Sequence, residues 1–129
     1  MPNLVWICLG GAIGSGSRYL VGLWAAKTLG TGFPYGTLTV NIVGSFLISI
    51  VMALGTDYGA IPPPVRLFLA TGVLGGFTTY SSFNYETLRL AQSGAWGVAA
   101  LNLLGTWMAC AAAGLAGLAL AARIAGFGR

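Results

Sequence analysis

The chain has 129 residues, of which 57% are hydrophobic and only 6% are charged, and its net charge is +4. A soluble domain carries about 25% charged residues, so this composition excludes a soluble globular protein and leaves one membrane domain with no room for a catalytic head. No block of like charges is present, which argues against nucleic acid as a partner, and the absence of histidine removes the commonest proton shuttle and metal ligand.

Four apolar segments each approach the roughly 20 residues that a bilayer requires. They predict an all-α integral membrane protein, a single domain over 1–129, with helices at about 4–26, 37–54, 66–90 and 96–122. The opening MPNLVWICLGG has no basic region and no small-residue cleavage site, so no signal peptide is expected. In the first span Gly10, Gly14, Arg18 and Gly22 recur at i+4. The glycines allow close helix contact. Arg18 fits two roles: an interfacial anchor, or a fixed positive charge that draws anions into a vestibule. Cys8 and Cys110 both lie in apolar runs and read as small buried thiols, rather than a disulfide or a metal pair.

A short loop with Pro34 leads to the second span, where Asn41, Ser45 and Ser49 recur at i+4. Such a stripe serves interhelical hydrogen bonding; in a sharper reading, the Asn41 amide donates to a passing anion. Asp57 and the run Pro62-Pro63-Pro64 end this hairpin, because proline cannot continue a helix.

The third span contains TGVLGGFTTYSSFNYE, Thr71 to Glu86. Gly75 and Gly76 each cost roughly 1 kcal/mol against alanine in a helix. Thr78, Thr79, Ser81 and Ser82 follow, with hydroxyls that compete for backbone groups. A helix broken near the membrane centre is expected, with carbonyls free for a cation. Irregular backbone survives there only inside protein or beside a wet cavity. Tyr80 and Phe83, spaced i, i+3, share a face just beyond the break. The bland alternative is a kinked helix packed through its glycines.

A tight turn at 92–95 precedes the fourth span. There Asn102, Thr106, Cys110 and Gly114 form one stripe, and Gly105, Ala109, Ala113 and Gly117 form a small-residue ridge. Hydroxyls, amides and ring edges outnumber intramembrane charges, so a path built from neutral donors suits a small anion better than a cation. Arg66, Arg123 and Arg129 fall on one side of the membrane; Lys27 and Arg89, with Arg18 if it snorkels, fall on the other. The bias that normally fixes orientation is nearly absent. Insertion both ways up, followed by antiparallel pairing, is the expected result; a single orientation set by features other than charge is the alternative.

The chain resembles the small fluoride channels of the Fluc or CrcB family over essentially its whole length. The resemblance rests on GSRY in the first span, GTLTVN in the second and TGVLGGFTTYSSFNYE in the third. It implies passive fluoride export across a bacterial cytoplasmic membrane by a dual-topology antiparallel homodimer with two pores. It also implies a structural sodium ion at the dimer interface, held by backbone carbonyls at Gly75 and Thr78. Asn41, Tyr80, Phe83 and Arg18 match family positions on the anion path. Ser81, Asn102, Thr106 and Cys110 are counted with them. Tyr80 stands where phenylalanine is usual, Ser82 where threonine is usual, and Cys110 where a hydroxyl is usual; a thiol is a weaker donor.

Two other functions compete with this one. A small dual-topology multidrug-type exporter needs an acid midway along the first span, and Leu4 to Ala26 contains none. A non-transporting membrane scaffold would use the glycine ridges alone. No nucleophile–base set, metal cluster or phosphate loop suggests an enzyme.

Overall fold

The first helix, α1, covers Pro2–Leu29. Proline suits its first position, whose N–H would lack a partner in any case. Gly30, at φ +87°, lets the chain turn away after Leu29. Helix α2 covers Tyr35–Met52 and widens into a π-turn at Ala53–Asp57. Pro63 starts the short helix α3, Pro63–Arg66. A second π-type stretch, Leu67–Leu74, leads into α4, Gly75–Phe77. Then Thr78 (φ −83°, ψ 157°) and Thr79 (φ −151°, ψ 119°) are extended. Helix α5, Tyr80–Gln92, is followed by a turn through Gly94 at φ +84°, and α6 covers Trp96–Phe127.

This computed structural model describes residues 2–127; within them every regular element is helical. Three helical stretches are long and apolar enough to cross a membrane: Pro2–Leu29, Tyr35–Asp57 and Trp96–Gly126. Between the last two, the chain from Pro63 to Gln92 is helical in pieces. Gly75 and Gly76 themselves remain helical, and the interruption falls just after them, at Thr78–Thr79. Helices α1 and α6 extend beyond the spans expected from hydropathy. Arg129, one of the cations in the charge count, lies outside the described residues.

Small side chains decide the packing. The buried apolar residues are mostly alanines, among them Ala25, Ala53, Ala70, Ala99 and Ala121. Helix α1 lies against the 67–77 stretch through Gly10 and Gly14. A Cβ on Gly10 would sit 2.7 Å from the Phe68 carbonyl, and one on Gly14 would overlap the Val73 carbonyl. Helix α2 packs along α6, where a Cβ on Gly117 would overlap the Phe46 carbonyl. Close backbone approach of this kind replaces the hydrophobic drive that lipid does not supply. The larger aliphatic side chains of α1 and α6, such as Ile13, Leu20, Leu104 and Leu115, point outward.

Gly14→Ala therefore destabilises the fold by about 1–3 kcal/mol, the usual cost of overpacking. Thermal denaturation in detergent measures it. Gly16→Ala is the control, since nothing lies within 4 Å of a Cβ there.

Two expectations about side-chain environment are corrected. Cys8 is exposed and Cys110 half-buried, so Cys8 is not a buried thiol within the chain. Residue 8 precedes Gly10 by about 200° of helical rotation, which turns it away from the contact face. The fourth-span ridge also differs: Gly117 meets α2, but a Cβ on Gly105 would meet only Leu101 of its own helix. The packing face runs instead through Gly114, Gly117 and Ala121.

Candidate functional site

The interruption before α5 is held by a side chain 38 residues away. Asn41 Nδ2 donates to the Thr79 carbonyl at 2.9 Å, and Thr79 N–H donates to Asn41 Oδ1 at 2.9 Å. The carboxamide thus pairs with an extended peptide unit as a neighbouring strand would. Thr79 also caps α5, its Oγ1 accepting from Ser82 N–H at 3.2 Å. These bonds divert donors from two carbonyls. In a continuous helix Thr79 N–H would bond the Gly75 carbonyl, and Ser82 N–H would bond the Thr78 carbonyl. Here the first donates to Asn41 and the second to the Thr79 hydroxyl.

Two cavities meet at Thr79. One, about 330 Å³, lies between α2, α5 and α6 and is lined by Asn41, Ser45, Tyr80, Phe83, Thr106 and Cys110, with Trp107 at its edge. The other, about 340 Å³, is lined by Ser15, Arg18, Thr37, Thr79 and Ser82. It shares Gly22, Gly36 and Thr37 with a third, larger cavity, about 450 Å³, beside the 30–36 loop. Glu86 and Arg89 stand on the wall of that third cavity. The hollows therefore succeed one another from the Lys27 end of the molecule to the Tyr80–Phe83 pair.

The two rings meet edge to face, with centroids 5.9 Å apart and planes at 61°. Their environments differ sharply. Phe83 is 8% exposed, whereas Tyr80 is 77% exposed and projects from the chain. Gly44 opposite is required by close approach, because a Cβ there would overlap the Thr78 methyl.

Of the residues singled out from sequence, Asn41, Tyr80, Phe83, Thr106 and Cys110 share the first cavity. Arg18 lines the second, separated from them by Thr79. Ser81 is exposed, and its hydroxyl lies 3.4 Å from that of Thr79. Asn102 is 1% exposed and sits behind the cavity rather than in it. Thr78 donates its hydroxyl to the Leu74 carbonyl at 2.9 Å, and Gly75 is exposed. One of the two Asn41 N–H groups is already bonded to Thr79, which leaves a single hydrogen for any other acceptor. Thr106 gives its only hydroxyl hydrogen to Asn102 Oδ1 at 3.3 Å, a long bond that must be released before it donates elsewhere.

Sequence reasoning passed over Thr37, Thr79 and Ser82 as site residues. Thr37 donates to Glu86 Oε1 at 2.8 Å, while Glu86 Oε2 is buried without a partner. Only the density of hydroxyls after Gly76 hinted at Thr79 and Ser82. Ser49, which the i+4 stripe grouped with Asn41, instead packs against Gly114 and Gly117 of α6.

Residues 5–118 match the family model described as CrcB-like protein, Camphor Resistance (CrcB). A protein of Anaeromyxobacter dehalogenans named fluoride-specific ion channel FluC is 52% identical over 126 residues, covering 98% of this chain and 100% of the relative. One of the same name from Sorangium cellulosum is 44% identical over 124 residues, covering 96% and 98%. Another, from Agrobacterium fabrum, is 49% identical over 120 residues, covering 93% and 96%. With its apolar helices and a match spanning nearly its full length, the chain is a multi-pass membrane protein that belongs to the CrcB-like family.

Proposed function

We propose that this protein is a passive, fluoride-selective ion channel and not an enzyme, exporting cytoplasmic fluoride across a bacterial inner membrane. The observation that carries the reading is the cavity in which Asn41, Thr106 and Cys110 face the Tyr80–Phe83 pair. Three relatives of nearly the same length bear the name of a fluoride-specific channel.

Fluoride is compact and strongly hydrated, so a path must replace its water with closely spaced donors. Arg18 attracts the anion into the outer hollow, where Ser82 offers its hydroxyl, the Thr37 hydrogen being held by Glu86. Beyond Thr79, the free hydrogen of Asn41 and the Cys110 thiol follow in turn, and the Thr106 hydroxyl joins them when it turns away from Asn102. The positive edges of Phe83 and Tyr80 meet the anion in the ring plane. No carboxylate stands in the cavity beside the rings, which suits downhill flow of an anion.

The active form in this reading has four transmembrane helices per chain, the third broken mid-membrane. Two chains pair antiparallel, with dual topology and two pores. The outward projection of Tyr80 and the near-balanced cations support that assembly. Cysteine-scanning labels applied to intact cells should then reach a tag at the C-terminus from both faces; labelling from a single face would overturn dual topology.

The Gly75 and Thr78 carbonyls fit a sodium ion at the interface, since the donors that a helix would give them are taken elsewhere. Neutral carbonyl oxygens suit a hard monovalent cation. Bound there, sodium supplies a fixed positive charge that ties two copies together. Proteoliposomes prepared in sodium should release fluoride, and replacing sodium throughout by a large organic cation should suppress release by about tenfold or more, the effect of losing some 1.4 kcal/mol. Full release in the strict absence of sodium would contradict the ion's role.

A further inference from the structure

Thr79, Phe83 and Thr87 are spaced i+4 on one face of α5 and its cap. The upper end of this row is held by Asn41 of α2. The lower end is held by Asn102 of α6. Asn102 Nδ2 donates to Thr87 Oγ1 at 2.8 Å, and Thr87 Oγ1 donates to the Phe83 carbonyl at 2.8 Å. The other end of the carboxamide is engaged too, Oδ1 accepting from Thr106. Asn102 is 1% exposed and lines none of the cavities described above.

We infer that Asn102 is a positioning residue: through Thr87 it fixes the turn of α5 that carries Phe83, and it does not itself contact the anion. The inference rests on the channel reading only for its effect on flux. The i+4 stripe of the fourth span groups Asn102 with Thr106 and Cys110, but the bonds assign them different work. Phe83 lies four residues from each pinned threonine, so its backbone is bracketed between two asparagines from two other helices. Buried polar pairs of this kind fix geometry because an unpaired amide inside the bundle is costly. A ring edge that serves an anion must be held to a fraction of an ångström, and aliphatic contacts alone do not specify its height along the helix.

Thr87→Val tests the inference, since it removes the hydroxyl from a residue outside the anion cavity and keeps the side-chain shape. Thr87→Ser restores the hydroxyl. Fluoride efflux from liposomes and fluorine NMR of 4-fluorophenylalanine incorporated at position 83 are read in parallel. Thr87→Val should slow efflux about five- to tenfold, the factor that one net hydrogen bond carries, and should move the resonance. Thr87→Ser should keep both near wild type. Adding Asn102→Ala to Thr87→Val should slow efflux little further. If Thr87→Val leaves efflux and resonance unchanged while Asn102→Ala abolishes efflux, Asn102 is an anion ligand and the inference is overturned. An unmoved resonance in Thr87→Val overturns it whatever the flux. If the wild-type protein passes no fluoride, the channel reading fails, and the resonance alone decides the clamp.

Discussion

Phe83→Ile lowers fluoride efflux by about a hundredfold, equivalent to losing nearly 3 kcal/mol of stabilisation along the path at about 1.4 kcal/mol per tenfold. Isoleucine is apolar and not much smaller, so the bundle accommodates it at a cost of about 1–3 kcal/mol and still assembles. What it lacks is an aromatic ring, whose edge carries partial positive charge, at a position that lines the cavity beside Tyr80. Efflux from liposomes gives the rate, and size-exclusion chromatography gives the oligomer. Unchanged efflux from an assembled variant would remove Phe83 from the path.

Asn41→Asp has a comparable effect for a different reason. The carboxylate can still accept from Thr79 N–H, but it has no hydrogen for the Thr79 carbonyl. Two oxygens then face each other where a donor and an acceptor stand 2.9 Å apart. An orphaned buried acceptor costs about 1–3 kcal/mol. A negative charge is also placed at the junction through which an anion passes. Both terms act in the same direction, so efflux should fall by at least about a hundredfold. Asn41→Gln keeps the donor but displaces it by one methylene, and should fall between the two. Wild-type efflux in Asn41→Asp would dismiss both the clamp and the anion path.

Three of the apolar runs, which the structure shows as long helices, and the weakness after Gly76 were legible in sequence because each is a local pattern. The width of the two π-stretches was not, since an i→i+5 turn leaves no periodic mark that differs from an α-helix over so few residues. The stripes were legible but misleading at their far ends. A step of i+4 overshoots a full turn by about 40°, so residues eight apart diverge by about 80°. Asn41 therefore reaches the cavity while Ser49 packs on α6. Cys110 likewise reaches the cavity while Asn102 binds Thr87. The Asn41–Thr79 pair was hidden for another reason, namely that its partners are 38 residues apart and meet only after α2 docks against the break. Serine and threonine are so common in membrane helices that nothing in the string marked Thr79 above its neighbours.

The most direct measurement is efflux from liposomes that hold the purified protein, followed with a fluoride electrode beside a chloride control in sodium buffer. Rapid loss of fluoride with chloride retained is the predicted result. Retention of both ions by a folded, correctly assembled sample, or equal loss of the two, would contradict a fluoride-selective channel.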